Sequence, residues 1–178
     1  MPVKVSEAMA QRDLRVAYST GIRRRFVRWV NRKNAILPEF SQAEEMLKGK
    51  GRHDLGLQVV RIDCIVGSFN RSSDFDQEFY PRRMDYPERW TRIARAHYEG
   101  VELPPIELYK VGSSYFVVDG NHRVSVGLAL DQQFIDAHVI EFDADLDEQL
   151  TIVVSPAQVE SISTPNAAAL PVHNGLPA

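Results

Sequence analysis

The chain has 178 residues, 44% hydrophobic and 25% charged, with a formal net charge of −3, which suits one well-buried globular domain, since domains run to ~100–200 residues. No apolar run approaches the ~18 residues a membrane span needs, and the start, Met1-Pro2-Val3-Lys4-Val5-Ser6-Glu7, lacks the basic and apolar regions of a secretory signal, so a cytoplasmic address without a membrane partner is expected. The lone Cys64 excludes an intramolecular disulfide and a cysteine metal cluster within one chain, and its apolar setting reads as a structural thiol at a strand end.

Charge is unevenly spread. Residues 1–52 carry twelve Lys and Arg against five Asp and Glu, and the remainder nine against nineteen, so the front is near +7 and the rest near −10. Such asymmetry suits either a basic arm for an anionic partner or a basic segment folded back on its own acidic body. From residue 12 to 31 the apolar residues Leu14, Tyr18, Ile22, Phe26 and Trp29 recur every three or four positions, the stripe of an amphipathic helix, with Arg24, Arg28 and Arg32 on another stripe. Ser41 with Glu44 three residues later is a capping-box spacing, which predicts a second short helix through Met46 and Leu47 to Gly49. The run Gly49-Lys50-Gly51 then reads as a hinge, which sets a first boundary: 1–52 as a basic helical extension, 53–150 as the core domain.

The stretch 57–62 is rich in β-branched residues and reads as a strand, and 67–74 as a polar loop. Pro87 and Glu88 open a helix that places Trp90, Ile93, Ala94 and His97 on one face and stops at Gly100, where Pro104-Pro105 prevents continuation. Residues 106–110 and 115–118 flank Val111-Gly112-Ser113-Ser114, the signature of a hairpin with a short glycine loop. A short helix over about 121–130 and an alternating strand over 134–140 follow. The order strand, helix, hairpin, helix, strand defines an α+β core. Residues 151–178, with four prolines and the single charge of Glu160, have too little periodic apolar character to offset the entropy of ordering and are expected to be a disordered tail.

Chemistry concentrates where the strand 115–118 runs into Asp119-Gly120-Asn121-His122-Arg123 and then a helix. The first N–H groups of a helix have no partner within it, so a strand, a glycine and a helix start make an anion site. Gly120 permits close approach, while Arg123 and His122 supply charge and hydrogen bonds suited to phosphate oxygens. Asp119 has three readings: metal ligand, orienter of Arg123, or helix cap. Against all of this stands the bland alternative that Asp-Gly-Asn is an ordinary turn and His122 a surface residue.

The run 111–126 with Leu103-Pro104-Pro105-Ile106 before it and 134–139 after it resembles the ParB/sulfiredoxin superfamily, in particular the ParB-like nuclease domain. The stretches 65–71 and 74–76, with Arg89-Trp90, resemble a small ParB-like subgroup of bacterial proteins. The resemblance spans about 57–142 and implies a small mixed sheet with flanking helices. It also implies phosphate contacts from Gly120, Asn121, His122 and Arg123, with Arg71 as a second contact. Where sulfiredoxin-like enzymes carry a reactive cysteine, this chain has Asn121, which rules out that activity. Only the proline-rich segment follows the module, where partition proteins carry a helix-turn-helix domain.

Other charged groups are weighed similarly. Arg24, Arg28 and Arg32, with Phe26 and Trp29 between them, could neutralise successive DNA phosphates, or the arginines could face solvent or pair with the acidic body. Asp74, Asp76, Glu78 and Asp85 read as loop solubilisers, with Mg²⁺ carried in by a nucleotide as the alternative. His53, His97 and His138 lack metal-ligand spacing and no metal site is assigned; His97 is expected on the packed helix face. The resulting expectation is a ParB-like nucleotide-binding protein taking CTP or ATP with Mg²⁺, associated with DNA and compatible with a homodimer. The alternatives are a metal-dependent nuclease or phosphotransferase using Asp119 and His122, and a protein-interaction domain with a vestigial site.

Overall fold

The computed structural model describes residues 3–30, 51–69, 74–76, 78–84 and 87–143. Three helices and a five-stranded sheet alternate along them: α1 (Val3–Val30), β1 (Arg52–Arg61), a 3-10 turn (Ile62–Cys64), β2 (Ile65–Ser68), α2 (Pro87–Glu99), β3 (Ile106–Val111), β4 (Ser114–Asp119), α3 (Asn121–Ala129) and β5 (Phe134–Phe142). The expected helix at 41–49 and the tail at 151–178 lie outside the described residues. No helix among the described residues is long and apolar enough to cross a membrane.

The sheet order is β1-β5-β3-β4-β2. β1 is antiparallel to β5 and β3 to β4, whereas β5 runs parallel to β3 and β2 parallel to β4, so the sheet is mixed and the fold is α+β. The hairpin β3–β4 closes through Gly112 with φ 59°, a left-handed value that glycine adopts without the Cβ clash of other residues. α3 carries the chain from β4 across β3 to β5, which lies on the other side of β3.

Alternation along the strands divides the molecule into layers. Val60, Ile106, Leu108, Val117, Ala137 and Val139 face α3 and are fully or nearly fully buried with Val124. The next residue but one on α3, Val126, points the other way, into a second cluster with Trp90 and Ala94 of α2 and Ala10, Leu14 and Ala17 of α1. Trp90 Nε1 donates to Ser125 Oγ at 3.0 Å inside this interface, so the one polar atom of the indole is satisfied where it is buried. The layers therefore run sheet, α3, α2, α1. On the far side of the sheet Val66, Val111 and Phe116 are also buried, next to an edge-on chain of rings from Phe69 through Tyr109 to Phe142.

Several expectations are corrected. α1 starts nine residues before Arg12, because Glu7, Ala8, Met9, Ala10 and Gln11 are good helix formers, and its buried stripe is built from small residues. Ser6, Ala10, Leu14, Ala17 and Gly21 turn inward, whereas Ile22 and Phe26, assigned to the packed face, are 46% and 63% exposed. Gly21 shows why: a Cβ there would come within 2.7 Å of Tyr80 Cβ, so the helix backbone itself lies against the 78–84 segment. Residues 65–68, read partly as loop, form the buried edge strand β2. Cys64 sits in the 3-10 turn rather than a strand end, and burial pushes its thiol pKa up, as suits an unreactive cysteine. His97 is exposed, not packed.

Candidate anion-binding site

β4 ends at Asp119, and the chain turns through Gly120 with φ 115° into α3. Only glycine fits, both for that φ and because a Cβ would lie within 2.7 Å of the Ile106 Cβ. The N–H groups of Arg123 and Val124 return to the Gly120 carbonyl at 2.8 and 3.0 Å, which closes the first turn of α3. The peptide N–H groups of Asn121 and His122 head that turn, where a nine-residue helix presents the positive end of its dipole. Because β2 is parallel to β4, with Phe69 N donating to Val117 O at 2.8 Å, the loop that follows β2 leaves the sheet at the same edge. Open α/β sheets receive ligands at such carboxyl ends.

The side chains of the turn have distinct tasks. Asp119 Oδ2 accepts from Arg123 Nη2 at 2.7 Å and so orients that guanidinium, and no side chain caps the helix. Arg123 Nη1 donates to the carbonyls of Pro104 and Pro105, the latter at 2.7 Å. Its guanidinium, 13% exposed, thus ties the start of β3 to the turn as well as lending charge. A cleft of about 370 Å³ opens beside it, lined by His97, Glu102, Pro104 and Asp136 among others. Asn121 is 4% exposed and its Oδ1 has no hydrogen-bond partner, a state that costs ~1–3 kcal/mol for a buried acceptor. The His122 ring meets Phe75 edge-on at 5.1 Å.

Two further groups at this site are not visible in the sequence. Arg89, in the first turn of α2, reaches within 4.0 Å of Asp119 and is 44% exposed, so a second guanidinium stands over the turn. Its neighbour Trp90 is the packed residue, and placing adjacent residues on different sides of a helix is what periodicity can do; that α2 starts beside α3 is tertiary information. The second is the 74–84 segment, anchored by Asp76. That carboxylate is fully buried, accepts the N–H groups of Glu78 and Tyr80 at 3.1 and 2.9 Å, and receives Arg25 Nη1 at 3.1 Å. Burial raises its pKa, against the pull of those hydrogen bonds and of Arg25. Asp76 is therefore no loop solubiliser but the hub that fixes Phe75 over His122.

Of the basic-arm residues, Arg24 donates to Glu78 at 2.6 Å and lies over the Tyr80 ring; with Arg25 it folds the basic helix onto the acidic body. Arg32, Arg71 and Asp85, and the side chain of Arg28, lie outside the described residues. Among the described residues no group of three His, Cys, Asp or Glu could hold a metal ion. Compared with known proteins, the chain matches no family model, and no curated protein or solved structure matches it.

Proposed function

We propose that the chain is a cytoplasmic nucleotide-binding protein of ParB-like type that holds phosphate at the turn 119–123. The observation that carries the reading is the junction itself: a left-handed glycine between the carboxyl end of β4 and the start of α3, beside a parallel strand end and under Arg89 and Arg123. Backbone N–H groups with the helix dipole favour an anion, and two guanidinium groups complement phosphate oxygens. Arg123 acts from a fixed position, because Asp119 and two proline carbonyls hold it, whereas Arg89 is free to close on a ligand from α2. Asp119, 58% exposed, is the one carboxylate of the turn that a magnesium ion carried on a triphosphate would meet.

The test is thermal unfolding with CTP, ATP, ADP or GTP and Mg²⁺. A nucleotide at 100 times its Kd adds ~2.7 kcal/mol, a rise of about 5–10 °C in Tm for a chain of this size. Arg89→Ala, which removes an exposed charge, and His122→Glu, which puts an anion in the first turn where a helix tolerates it, should each keep the ligand-free Tm within a few degrees and shrink the nucleotide shift. Absence of a shift with every nucleotide, or a shift that both variants retain in full, would sink the proposal.

A further inference from the structure

The groups that would hold an anion at the start of α3 are donors: the N–H of Asn121 at the helix head and the guanidinium of Arg89, within 4.0 Å of Asp119, beside the fixed charge of Arg123. Any oxyanion satisfies such a set, sulfate as well as phosphate. Which oxyanion is preferred is decided by the acceptors of the turn, because a fully deprotonated oxyanion has no hydrogen to give them.

A buried acceptor sits among these donors. Asn121 is 4% exposed, and its Oδ1 has no hydrogen-bond partner among the described residues. It is the first residue of α3, directly after the left-handed Gly120 at the cap position. Each Cα–Cβ bond of a helix tilts towards the helix N-terminus, so the carboxamide is directed to the end where an anion is held. A buried acceptor without a donor is costly, and a ligand that brings an O–H removes that cost. Asp119 acts in the same direction. Its carboxylate is 58% exposed beside the turn, and like charges repel, so an oxyanion with less negative charge suits the turn better.

We propose that the turn selects a terminal phosphate that keeps a proton, its P–O–H donating to Asn121 Oδ1 while the Asn121 N–H and the Arg89 guanidinium donate to the other oxygens. The inference rests on the reading that the turn holds phosphate, and it narrows the class of ligand. Inorganic phosphate, a phosphate monoester and the end of a nucleotide's phosphate chain can all carry such a hydroxyl, since the second proton of a monoester leaves with a pKa of ~6. Sulfate has no proton to give. Neither has a phosphodiester, so the backbone of DNA is not the ligand of this turn.

The test is thermal unfolding of the full chain at about pH 6, with inorganic phosphate, sulfate or dimethyl phosphate added over a range of concentration. Phosphate should stabilise the wild type at a concentration on the order of tenfold lower than sulfate does, as one hydrogen bond to a buried acceptor allows, and dimethyl phosphate should not stabilise it. Charge alone gives the opposite order, because at that pH sulfate is a dianion and phosphate largely a monoanion. Asn121→Leu keeps the branching of the side chain and removes the acceptor. It should bring phosphate and sulfate to parity at an unchanged or higher ligand-free Tm; should that variant fail to fold, the wild-type comparison decides by itself. Sulfate that matches or exceeds phosphate in the wild type, dimethyl phosphate that matches phosphate, or a preference that Asn121→Leu retains would each overturn the selectivity while leaving anion binding at the turn in place. If neither phosphate nor sulfate stabilises the wild type, the selectivity is overturned too, and the nucleotide shifts then tell whether the phosphate reading falls with it.

Discussion

At Gly120 two constraints coincide, a φ of 115° and the absence of space beside Ile106. A methyl group there would meet strain of ~1–2 kcal/mol at positive φ and overpacking of ~1–3 kcal/mol. Gly120→Ala is therefore expected to lower stability by about 2–5 kcal/mol, read as a lower urea midpoint with unchanged slope. This residue was legible in the sequence, since a glycine set between a β-branched run and a helix start marks a backbone that a side chain would strain. The rest of the turn was only half legible. That Asp119 orients Arg123 was one of three readings, and spacing could not choose among them; the grip of Arg123 on Pro104 and Pro105 depends on β3 lying beside β4. The unpartnered Oδ1 of Asn121 had no signal at all, because burial of a polar residue at a helix start is set by what packs over it.

Elements followed the sequence where the buried face was built from large residues. The hairpin 106–119, α2, α3 and β5 all carry branched or aromatic side chains at the right period. α1 does not: its inward face of Ser6, Ala10, Ala17 and Gly21 is nearly silent to hydropathy, so the louder Ile22 and Phe26 were assigned to the core although they face out. β2 was missed because four residues including a glycine give no period to read. The small stripe of α1 matters for the site, since it lets Arg25 reach Asp76. Asp76→Ala removes an acceptor of two backbone N–H groups and strands a guanidinium that is 19% exposed. Loss of about 3–5 kcal/mol is expected, with Phe75 released from His122. Asp76→Asn, which keeps one acceptor oxygen for the backbone, should lose less than half of that. Equal unfolding midpoints for Asp76→Ala and the wild type would show that the segment is held by other means.

At the scale of the whole molecule, part of the basic front is folded back on the acidic body, with Arg24 and Arg25 of α1 on Glu78 and Asp76. Far from these pairs, β1 and β5 are pinned at their open end by His53 with Asp143 and by His138 with Asp54. The Asp143 carboxylate, bonded at 2.9 Å, raises the His53 pKa above its ordinary 6.5. A group whose folded pKa is raised contributes stability that is fully present below the unfolded pKa and is lost as pH rises through the folded one. The stability difference between the wild type and His53→Gln should thus be largest below pH 6.5 and fade on the alkaline side of it. Both partners are well exposed, so the difference is small and sensitive to salt, and a difference that grew with pH would contradict the pairing. Neither histidine pair is legible in the sequence, because the partners lie across the β1–β5 ladder, ninety residues apart in one case.

The bond from Trp90 to Ser125 has one more consequence. The indole sits in the seam between α2, which carries Arg89, and α3, which begins at the proposed phosphate site, and the chain has only one other tryptophan, Trp29. With Trp29 replaced by phenylalanine, the emission colour of the protein reports on a single buried ring whose N–H is bonded to α3. Any ligand that draws the start of α2 towards the turn shifts that ring against its partner, so the molecule holds its own optical gauge of whether the site closes.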